Sequence, residues 1–408
     1  MPRINATLVL LLAAASVPAA QDWSQWRGPG RTGVAAAFKA PAAWPDRPTL
    51  VWKIDAGAGH ASPVIASGRV YLHSRVGEQE VVAAYELSSG KPVWRQVYDA
   101  PYEMNPAARG HGKGPKSTPV LETGRLFTFG IGGILSAWDA SSGRLLWRKD
   151  FRREFKATAP DFGVAMSPLV DDELLVVHAG GPDSGALLGL AASTGAVRWA
   201  WKGEGPAYAS PVVARFAGVP QVVTQSRTHV ISVALADGRE LWRIPFTTDY
   251  DQNIITPLID GELLIYGGLG RPTTAVKVRQ QGGKWTHEAV WANAEIPVYM
   301  STPVIASGHL YGLTHRNRGQ FFCVDLKDGR TLWTTRGREA ENAAFAVAGD
   351  LLLATTTEGE LVVAQANPKA FELVKRYTLA ESPIWAHPAI AAAGIVIKDA
   401  EALGYWRF

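Results

Sequence analysis

The sequence predicts an all-β fold, a β-propeller with eight four-stranded antiparallel blades. Three regularities support this prediction: a strand-turn-strand segment that recurs along the chain, a proline-containing mark between the copies, and a large aromatic residue at the end of each copy. Repeats of roughly 40 to 50 residues that contain several short strands are typical of propeller blades. Because one blade cannot bury both of its faces, the blades must pack on one another and the ring must close.

The recurring segment is clearest at residues 136–147. Alternating residues are followed by a Ser-Gly turn and an apolar run that ends in Trp147, which is the pattern of a β-hairpin. One aromatic residue per unit is expected to dock its blade on the neighbouring blade. These residues are Trp52, Trp94, Trp147, Trp199, Trp242, Trp291, Trp333 and Tyr377.

The second regularity is a Ser-Pro or Thr-Pro pair that precedes an apolar residue in most units. The prolines of this mark are Pro63, Pro119, Pro168, Pro211, Pro257, Pro303 and Pro388, the last of which follows a histidine. Successive steps are 56, 49, 43, 46, 46 and 85 residues, so the last step holds two units. Phe345 stands where the missing proline is expected, and the count is again eight.

The two ends of the chain are expected to meet in one sheet. A strand at residues 50–54 precedes the first mark, and the last unit stops at Phe408 without its own hairpin partner. Pairing of the N-terminal strand in the last blade would close the ring and leave no long free edge. We therefore divide the chain into a signal peptide at 1–20, an extended N-terminal arm at 21–48 and a single propeller at 49–408.

Residues 1–20 have the features of a secretory signal peptide. Arg3 precedes an apolar run at 8–17, and small residues place the cleavage after Ala19 or Ala20. The run is too short to span a bilayer as a helix. We expect an exported, soluble protein of the periplasm or the extracellular medium, without a transmembrane segment and without a cysteine for a lipid anchor near the cleavage site.

Composition argues against a nucleic-acid partner and against disulfides. The chain has 41 Lys and Arg against 37 Asp and Glu, a formal net charge of +4, which is far from a clustered basic footprint. The single cysteine, Cys323, can form no intrachain bridge and occupies an alternating strand position, where a buried small hydrophobic residue is expected. We expect a monomer.

With these repeats in place, the chain resembles the PQQ-like, or quinoprotein-like, β-propellers and their docking motif Ala-x-Asp-x-x-Thr-Gly-Lys-x-x-Trp. The resemblance covers about residues 22–408. That family includes quinone-dependent dehydrogenases, the β-propeller lipoprotein of the outer-membrane barrel-assembly machinery and many uncharacterised exported proteins. The opening segment at 22–33, with Trp26-Arg27-Gly28-Pro29, looks most like the last group. The resemblance implies a bacterial protein of the cell envelope.

Propeller topology places the loops between blades on one face, together with the loops between second and third strands, and binding residues concentrate on such loops. The residues expected on this loop face are His60, Arg109, His111, Lys116, Tyr208, Asn253, Tyr299, Arg316, Trp385 and His387. Their mixture of aromatic rings, amides and cations suits a protein partner or a small anionic ligand. The alternative is that they are ordinary solvated loop residues and channel plugs.

No catalytic or metal-binding motif is complete. Gly130 to Gly133 is rich in glycine but joins two predicted strands, and His287-Glu288 lacks the second histidine of a zinc-protease helix. The nine histidines show no metal-ligand spacing. Turn carboxylates such as Asp139 recur once per blade, so bonding to turn amides is expected of them. We predict no catalytic residue, no metal and no cofactor.

The leading hypothesis is therefore an exported, non-catalytic propeller scaffold that binds a protein partner or small ligand on its loop face, with a role in envelope assembly. The alternative is a PQQ-dependent dehydrogenase, which the family resemblance implies would hold the quinone with calcium at the channel mouth. The vicinal cysteine pair of those enzymes is impossible here. Substitute ligands could come from Asp249, Asp251, Asn253 and Glu295, with Trp385 as a stacking ring.

Overall fold

The computed structural model describes residues 22–155, 160–181 and 183–408. In these residues 32 β-strands form eight separate four-stranded antiparallel sheets. The predicted eight-bladed propeller is confirmed. The proposed signal peptide at 1–20 lies outside the described residues.

Each blade is a meander in which strands that are consecutive in the chain are neighbours in the sheet. Blade 1 contains β2 (Val64–Ala66), β3 (Arg69–Val76), β4 (Gln79–Glu86) and β5 (Pro92–Asp99). Blade 2 contains β6 (Val120–Glu122), β7 (Arg125–Phe129), β8 (Ile134–Asp139) and β9 (Leu145–Asp150). Blade 3 contains β10 (Leu169–Asp171), β11 (Leu174–Gly181), β12 (Ser184–Ala191) and β13 (Val197–Trp201). Blade 4 contains β14 (Val212–Phe216), β15 (Val219–Gln225), β16 (His229–Ala234) and β17 (Glu240–Pro245).

The second half of the ring follows the same plan. Blade 5 contains β18 (Leu258–Asp260), β19 (Leu263–Gly268), β20 (Arg271–Gln281) and β21 (Lys284–Asn293). Blade 6 contains β22 (Val304–Ala306), β23 (His309–Thr314), β24 (Gln320–Asp325) and β25 (Thr331–Thr334). Blade 7 contains β26 (Ala343–Ala348), β27 (Leu351–Thr356), β28 (Glu360–Gln365) and β29 (Leu373–Thr378). Blade 8 contains β30 (Ala389–Ala391), β31 (Gly394–Lys398), β32 (Ala402–Arg407) and β1 (Thr49–Asp55).

The ring closes as the sequence predicted. The N-terminal strand β1 pairs antiparallel with β32, in a register that runs from Thr49 opposite Arg407 to Asp55 opposite Ala402. The outer strand of blade 8 thus comes from the start of the propeller and its other three strands from the end. Opening the ring would require loss of this whole ladder of backbone hydrogen bonds.

A tryptophan stacked on a glycine turn joins most neighbouring blades. The indole of Trp94 in blade 1 lies against Gly143 of blade 2, and its Nε1 donates a hydrogen bond to Ala140 O at 2.9 Å. Gly143 has a φ of 73°, and a Cβ at this position would lie 2.6 Å from the indole. Glycine is therefore required both by the backbone and by the close approach. Four further indoles stack in the same way: Trp52 on Gly90, Trp147 on Gly195, Trp199 on Gly238 and Trp291 on Gly329.

Three docking aromatics find other partners because the next blade presents no glycine turn against the ring. Trp242 donates to Gln221 Oε1 at 2.9 Å within its own blade, since blade 5 carries a longer β20–β21 hairpin. Trp333 donates to Asn367 O at 2.8 Å. The hydroxyl of Tyr377 donates to Pro45 O of the arm at 2.7 Å.

The third strand of each of blades 1 to 6 supplies a small residue opposite the indole. Ala84, Ala137, Gly189, Ser232, Ala275 and Cys323 each pair with a docking tryptophan, and each stands at a β-bulge. Cys323 is fully buried in this series, which explains a cysteine there as a small residue that leaves room for the ring. The carboxylate of Asp139 accepts hydrogen bonds from the backbone N–H groups of Ser141 and Ser142, as expected of a turn residue.

The arm crosses the end of the ring that lies away from the interblade loops. Trp23 exchanges backbone hydrogen bonds with Ile65 of β2, and Val34 forms a parallel bridge to Val347 of β26. The later part of the arm places Trp44 against Tyr377 and Phe408, with ring centroids 6.3 and 5.2 Å away. Short 3-10 turns occur at Pro29–Arg31, Pro106–His111, Phe151–Arg153, Asp249–Asp251 and Arg316–Arg318.

Trp199→Ala tests the indole docking. Removal of a ring that is 6% exposed between blades 3 and 4 leaves a large cavity, so we expect the free energy of unfolding to fall by about 3 to 5 kcal/mol. Thr286→Ala, at an exposed strand position, is the control and should unfold like the wild type. Equal denaturation midpoints for Trp199→Ala and the wild type would show that the docking contact is dispensable.

Candidate functional site

The central channel holds a cavity of about 190 Å³ on the side of the interblade loops. Its collar consists of the hydroxyl residues that precede the prolines of the repeated mark: Ser62, Thr118, Ser167, Ser210, Thr256 and Thr302. The wall above the collar is formed mainly by aromatic rings, imidazoles and one amine. Typical pockets for drug-sized ligands measure several hundred Å³, so this cavity suits a ligand of about one ring.

The collar residues link the blades to one another by hydrogen bonds. The backbone N–H of Ser62 donates to Thr118 Oγ1 at 3.1 Å, that of Thr118 to Ser167 Oγ at 3.0 Å, and that of Ser167 to Ser210 Oγ at 2.9 Å. Two further links run from Ser210 N to Thr256 Oγ1 at 3.0 Å and from His387 N to Ser62 Oγ at 2.8 Å. The repeated Ser or Thr therefore has a structural role at the channel, where five of the six collar hydroxyls accept a hydrogen bond from a backbone amide of the preceding blade.

Two arginines of the arm close the far end of the channel. Arg27 donates to Thr302 O at 3.0 Å and Pro303 O at 2.7 Å. Arg31 donates to Ser167 O at 3.1 Å, to Pro211 O at 2.9 Å and to Pro168 O. Their side chains are 1% and 3% exposed, and within the described residues neither forms an ion pair with a carboxylate. Burial lowers the pKa of both guanidinium groups, which are held instead by carbonyl oxygens from three blades.

The arm also contributes Trp26 to the cavity. Its ring lies 5.1 Å from that of His387 in an edge-to-face contact, and the guanidinium of Arg27 lies 5.5 Å from the Trp26 centroid. Burial and the positive charge of Arg27 lower the pKa of His387 to about 3. His387 is therefore neutral at physiological pH.

Lys116 is the amine of the cavity wall. Its Nζ donates to Phe162 O at 2.5 Å, and burial lowers the pKa of the ammonium group to about 8. No ion pair within 4.0 Å joins it to a carboxylate in the part of the chain that the structure describes. The remaining residues, 1–21, 156–159 and 182, contain no Asp or Glu.

Two histidines stand between Lys116 and Trp385. His60 Nε2 donates to His111 O at 3.0 Å, because a carbonyl can only accept, and burial together with Lys116 lowers the pKa of His60 to about 4. The rings of His60 and His111 lie 6.0 and 5.4 Å from Trp385. Burial and Lys116 also lower the pKa of His111. Both imidazoles are neutral at pH 7.

Six of the ten residues that the sequence placed on the loop face line this cavity: His60, His111, Lys116, Tyr208, Trp385 and His387. The other four lie elsewhere. Arg109 is exposed on the long loop of blade 1, and Arg316 is exposed and donates to Ala294 O at 2.8 Å. Tyr299 donates to Gln252 Oε1 beside the cavity.

Asn253 has no free polar group to offer a ligand. It is fully buried, its amide N–H groups donate to Ser226 O at 2.8 Å and Phe246 O at 3.0 Å, and its Oδ1 accepts from Thr248 Oγ1 at 3.0 Å. Asn253 therefore anchors the loop that connects blades 4 and 5, so we leave it out of the proposed binding face.

Several cavity residues were missed by sequence reasoning. Trp26, Phe162 and Met300 line the cavity, and Arg27 and Arg31 close it. The sequence did contain a signal for the arm residues, because the segment Trp26-Arg27-Gly28-Pro29 combines a charged residue with Gly and Pro. Nothing local to Phe162 indicates that it approaches the channel axis. Met300 did carry a signal, because it stands two residues before Thr302, as Lys116 stands two residues before Thr118.

The residues do not assemble a site for a quinone with calcium. Among the described residues no group of three or more His, Cys, Asp or Glu side chains is arranged to hold a metal ion. Of the substitutes considered from the sequence, Asp251 pairs with Arg227 at 2.7 Å, and Asn253 is fully engaged. Cys323 is buried in blade 6 away from the cavity.

The fold and the docking repeat define an eight-bladed propeller of the quinoprotein-like class. More narrowly, the sequence profile of the family described as outer membrane protein assembly factor BamB matches residues 78–335, which is more than half of the chain. The chain belongs to this family.

Two relatives carry the same name at low identity. The outer membrane protein assembly factor BamB of Shewanella oneidensis is 26% identical over 234 residues, which make up 54% of this chain and 56% of that protein. The BamB of Yersinia pestis is 21% identical over 371 residues, 88% of this chain and 78% of that protein. The match to the Shewanella relative thus spans little more than half of its length.

Solved structures agree on the fold. BamB from Moraxella catarrhalis superposes with a TM-score of 0.64 at 14% identity, over 88% of this chain and 98% of that one. The quinohemoprotein alcohol dehydrogenase from Pseudomonas putida HK5 superposes with a TM-score of 0.68 at 12% identity, over 95% of this chain and 80% of that one. Likeness at these identities extends to the propeller architecture alone. In the described residues no helix has the length and apolarity needed to cross a bilayer.

Arg31→Met tests whether the arm arginines hold the channel together. The change leaves the carbonyls of Ser167, Pro168 and Pro211 without their donor, so we expect a loss of about 3 kcal/mol or more in the free energy of unfolding. Arg47→Met, at an exposed position of the same arm, is the matched control. If both variants show the same denaturant midpoint, the arginine contacts contribute nothing to stability.

The buried histidine His387 predicts acid sensitivity. Its folded-state pKa of about 3 lies below the ordinary value of 6.5, so between these pH values the unfolded chain binds a proton that the folded chain does not. The free energy of unfolding should therefore fall as the pH falls below 6.5, by about 1.4 kcal/mol per pH unit for such a group. Denaturation between pH 7 and pH 4.5 should show a shallower fall for His387→Gln than for the wild type. His287→Gln, at an exposed position, should keep the wild-type slope, and an unchanged slope in His387→Gln would contradict the assignment.

Proposed function

We propose that this chain is an exported, non-catalytic scaffold that binds a protein partner through the face carrying the interblade loops, in the assembly of the cell envelope. Family membership supports the assembly role, because the relatives are named outer membrane protein assembly factors. Export is supported by the signal-peptide pattern of residues 1–20.

The observation that carries the proposal is the presentation of Tyr250. This side chain is 83% exposed on the loop between β17 and β18, where a large aromatic residue contributes nothing to the packing of the ring. A tyrosine that is exposed in the free protein supplies a large contact area with a polar tip, and such residues are enriched among the residues that dominate protein interfaces.

The loop holds Tyr250 in an unfavourable backbone conformation. Tyr250 and Asp251 have φ values of 62° and 55°, in a region that residues other than glycine rarely adopt. The loop is fixed by Arg227, whose Nε donates to Asp251 Oδ2 at 2.7 Å, and by the buried amide of Asn253. Strained residues persist where the surrounding structure enforces them, and they concentrate at functional sites. A rigid loop also loses little entropy on binding.

The chemistry of the partner follows from the charges beside the tyrosine. Asp249 precedes Tyr250, whereas Asp251 is already paired with Arg227, so the complementary surface is an apolar pocket with a basic residue at its rim. Arg109 and Arg316 extend the proposed face at other points of the ring. The absence of an assembled catalytic constellation in the described cavity supports a binding function in preference to the dehydrogenase alternative.

Affinity capture from an envelope extract tests the proposal. Immobilised wild-type protein should retain a discrete partner at near-equimolar amounts, and Tyr250→Ser should reduce its recovery at least tenfold without lowering the melting temperature. Leu373→Ser removes a 50% exposed apolar side chain from the outer strand of blade 7 and is the matched control. Quantitative mass spectrometry of the eluates measures how much of the partner each variant retains. Retention that is equal for Tyr250→Ser and Leu373→Ser would reject Tyr250 as the anchor.

A further inference from the structure

The central cavity places one amine in an apolar, aromatic setting. Within the described residues Lys116 Nζ has one hydrogen bond, to Phe162 O, and the cavity surface around it is formed by Phe162, His111, Tyr208 and Trp385. An ammonium group in such a place loses hydration without gaining a carboxylate, so burial favours the neutral amine. A neutral, desolvated lysine amine is the nucleophile that attacks carbonyl carbons.

The surroundings also limit what could reach the amine. A cavity of about 190 Å³ accommodates about one ring, and the rings of His111 and Trp385, 5.4 Å apart in an edge-to-face contact, present flat apolar surface. His60 and His111 are neutral imidazoles beside Lys116, so neither supplies a negative charge that would favour the ammonium form of the lysine.

We propose that Lys116 captures a small aromatic aldehyde in this cavity as an imine. The amine nitrogen adds to the carbonyl carbon, and the carbonyl oxygen takes up the proton that the nitrogen releases. The carbinolamine then loses its hydroxyl group as water while the C=N bond forms. One aldehyde and one amine thus give one imine and one water, with no oxidant or reductant. Capture of an aldehyde requires no protein partner, so this site is independent of the proposed scaffold function.

A second lysine of lowered basicity provides an internal control. Lys398 is 1% exposed, its Nζ donates to Asp399 O at 2.6 Å, and burial lowers its pKa to about 8, the same value as for Lys116. Lys398 does not line the cavity, and Lys116 is only partly buried. A comparison of the two lysines therefore separates the effect of the accessible aromatic cavity from that of lowered basicity, and the exposed lysines serve as the control for access.

The test is reductive trapping on the full-length folded protein. Benzaldehyde at limiting concentration is added with cyanoborohydride at pH 7.5, and peptide mapping by mass spectrometry measures the rate at which each lysine gains the mass of the probe less one oxygen atom. We expect Lys116 to react at least tenfold faster than Lys398 and than the exposed lysines Lys39 and Lys53. Labelling of Lys116 that is no faster than that of Lys398 would overturn the proposal.

A second aldehyde and one variant complete the experiment. Acetaldehyde has the same reactive group without the ring, so the preference of Lys116 over Lys398 should fall at least fivefold with this probe. An equal preference for both aldehydes would overturn the aromatic specificity. In Lys116→Arg, which keeps the cation but cannot form an imine, the fast phase of whole-protein labelling should disappear, and its persistence would assign it to another lysine.

Discussion

The stacking of an indole ring on the turn glycine of the next blade is the contact on which the ring depends. In five of the eight blades the docking aromatic is a tryptophan that packs on a turn of the next blade, and that turn offers glycine, the one residue type that lets the ring approach the backbone. In the pair Trp94 and Gly143, a hydrogen bond from the indole to Ala140 O fixes the orientation as well as the distance. Repetition of this geometry around the ring sets the angle between blades, and closure by β1 and β32 follows once eight wedges are in place.

Eight blades enclose a central channel, and the backbone groups that line this channel need hydrogen-bond partners. The short inner strands turn backbone carbonyls toward its axis, and buried carbonyls need donors. Arg27 and Arg31 of the arm supply them, at the cost of placing two guanidinium groups away from water and from carboxylates. This exchange ties the arm to blades 3, 4 and 6 and gives the cavity a closed, electropositive end. Burial and then the charge of Arg27 lower the pKa of His387, whereas burial and then the charge of Lys116 lower the pKa of His60.

The sequence placed several cavity residues on the loop face, but it did not reveal the contacts that these residues make. His60, His111 and Lys116 were placed on the loop face because they lie in loops between blades, and that expectation depends only on topology. Asn253 was expected on the same face, and its amide turns into the loop. Loop topology alone does not single out Phe162, whose loop packs against His111 and Tyr208. Tyr250 was overlooked because neither its exposure nor its positive φ can be read from neighbouring residues.

The amino-acid sequence by itself determined the number of blades, the strand order within them and the closing strand. Those features arise from a local pattern repeated eight times, and repetition makes a weak local signal unambiguous. Only the tertiary structure decided what fills the channel, which loop residues face it, and that Lys116 stands there without a carboxylate. These properties depend on contacts between distant parts of the chain, such as Lys116 with Phe162 and Arg27 with Thr302, and each such contact occurs once. A contact that occurs once has no repeat to reveal it in the sequence.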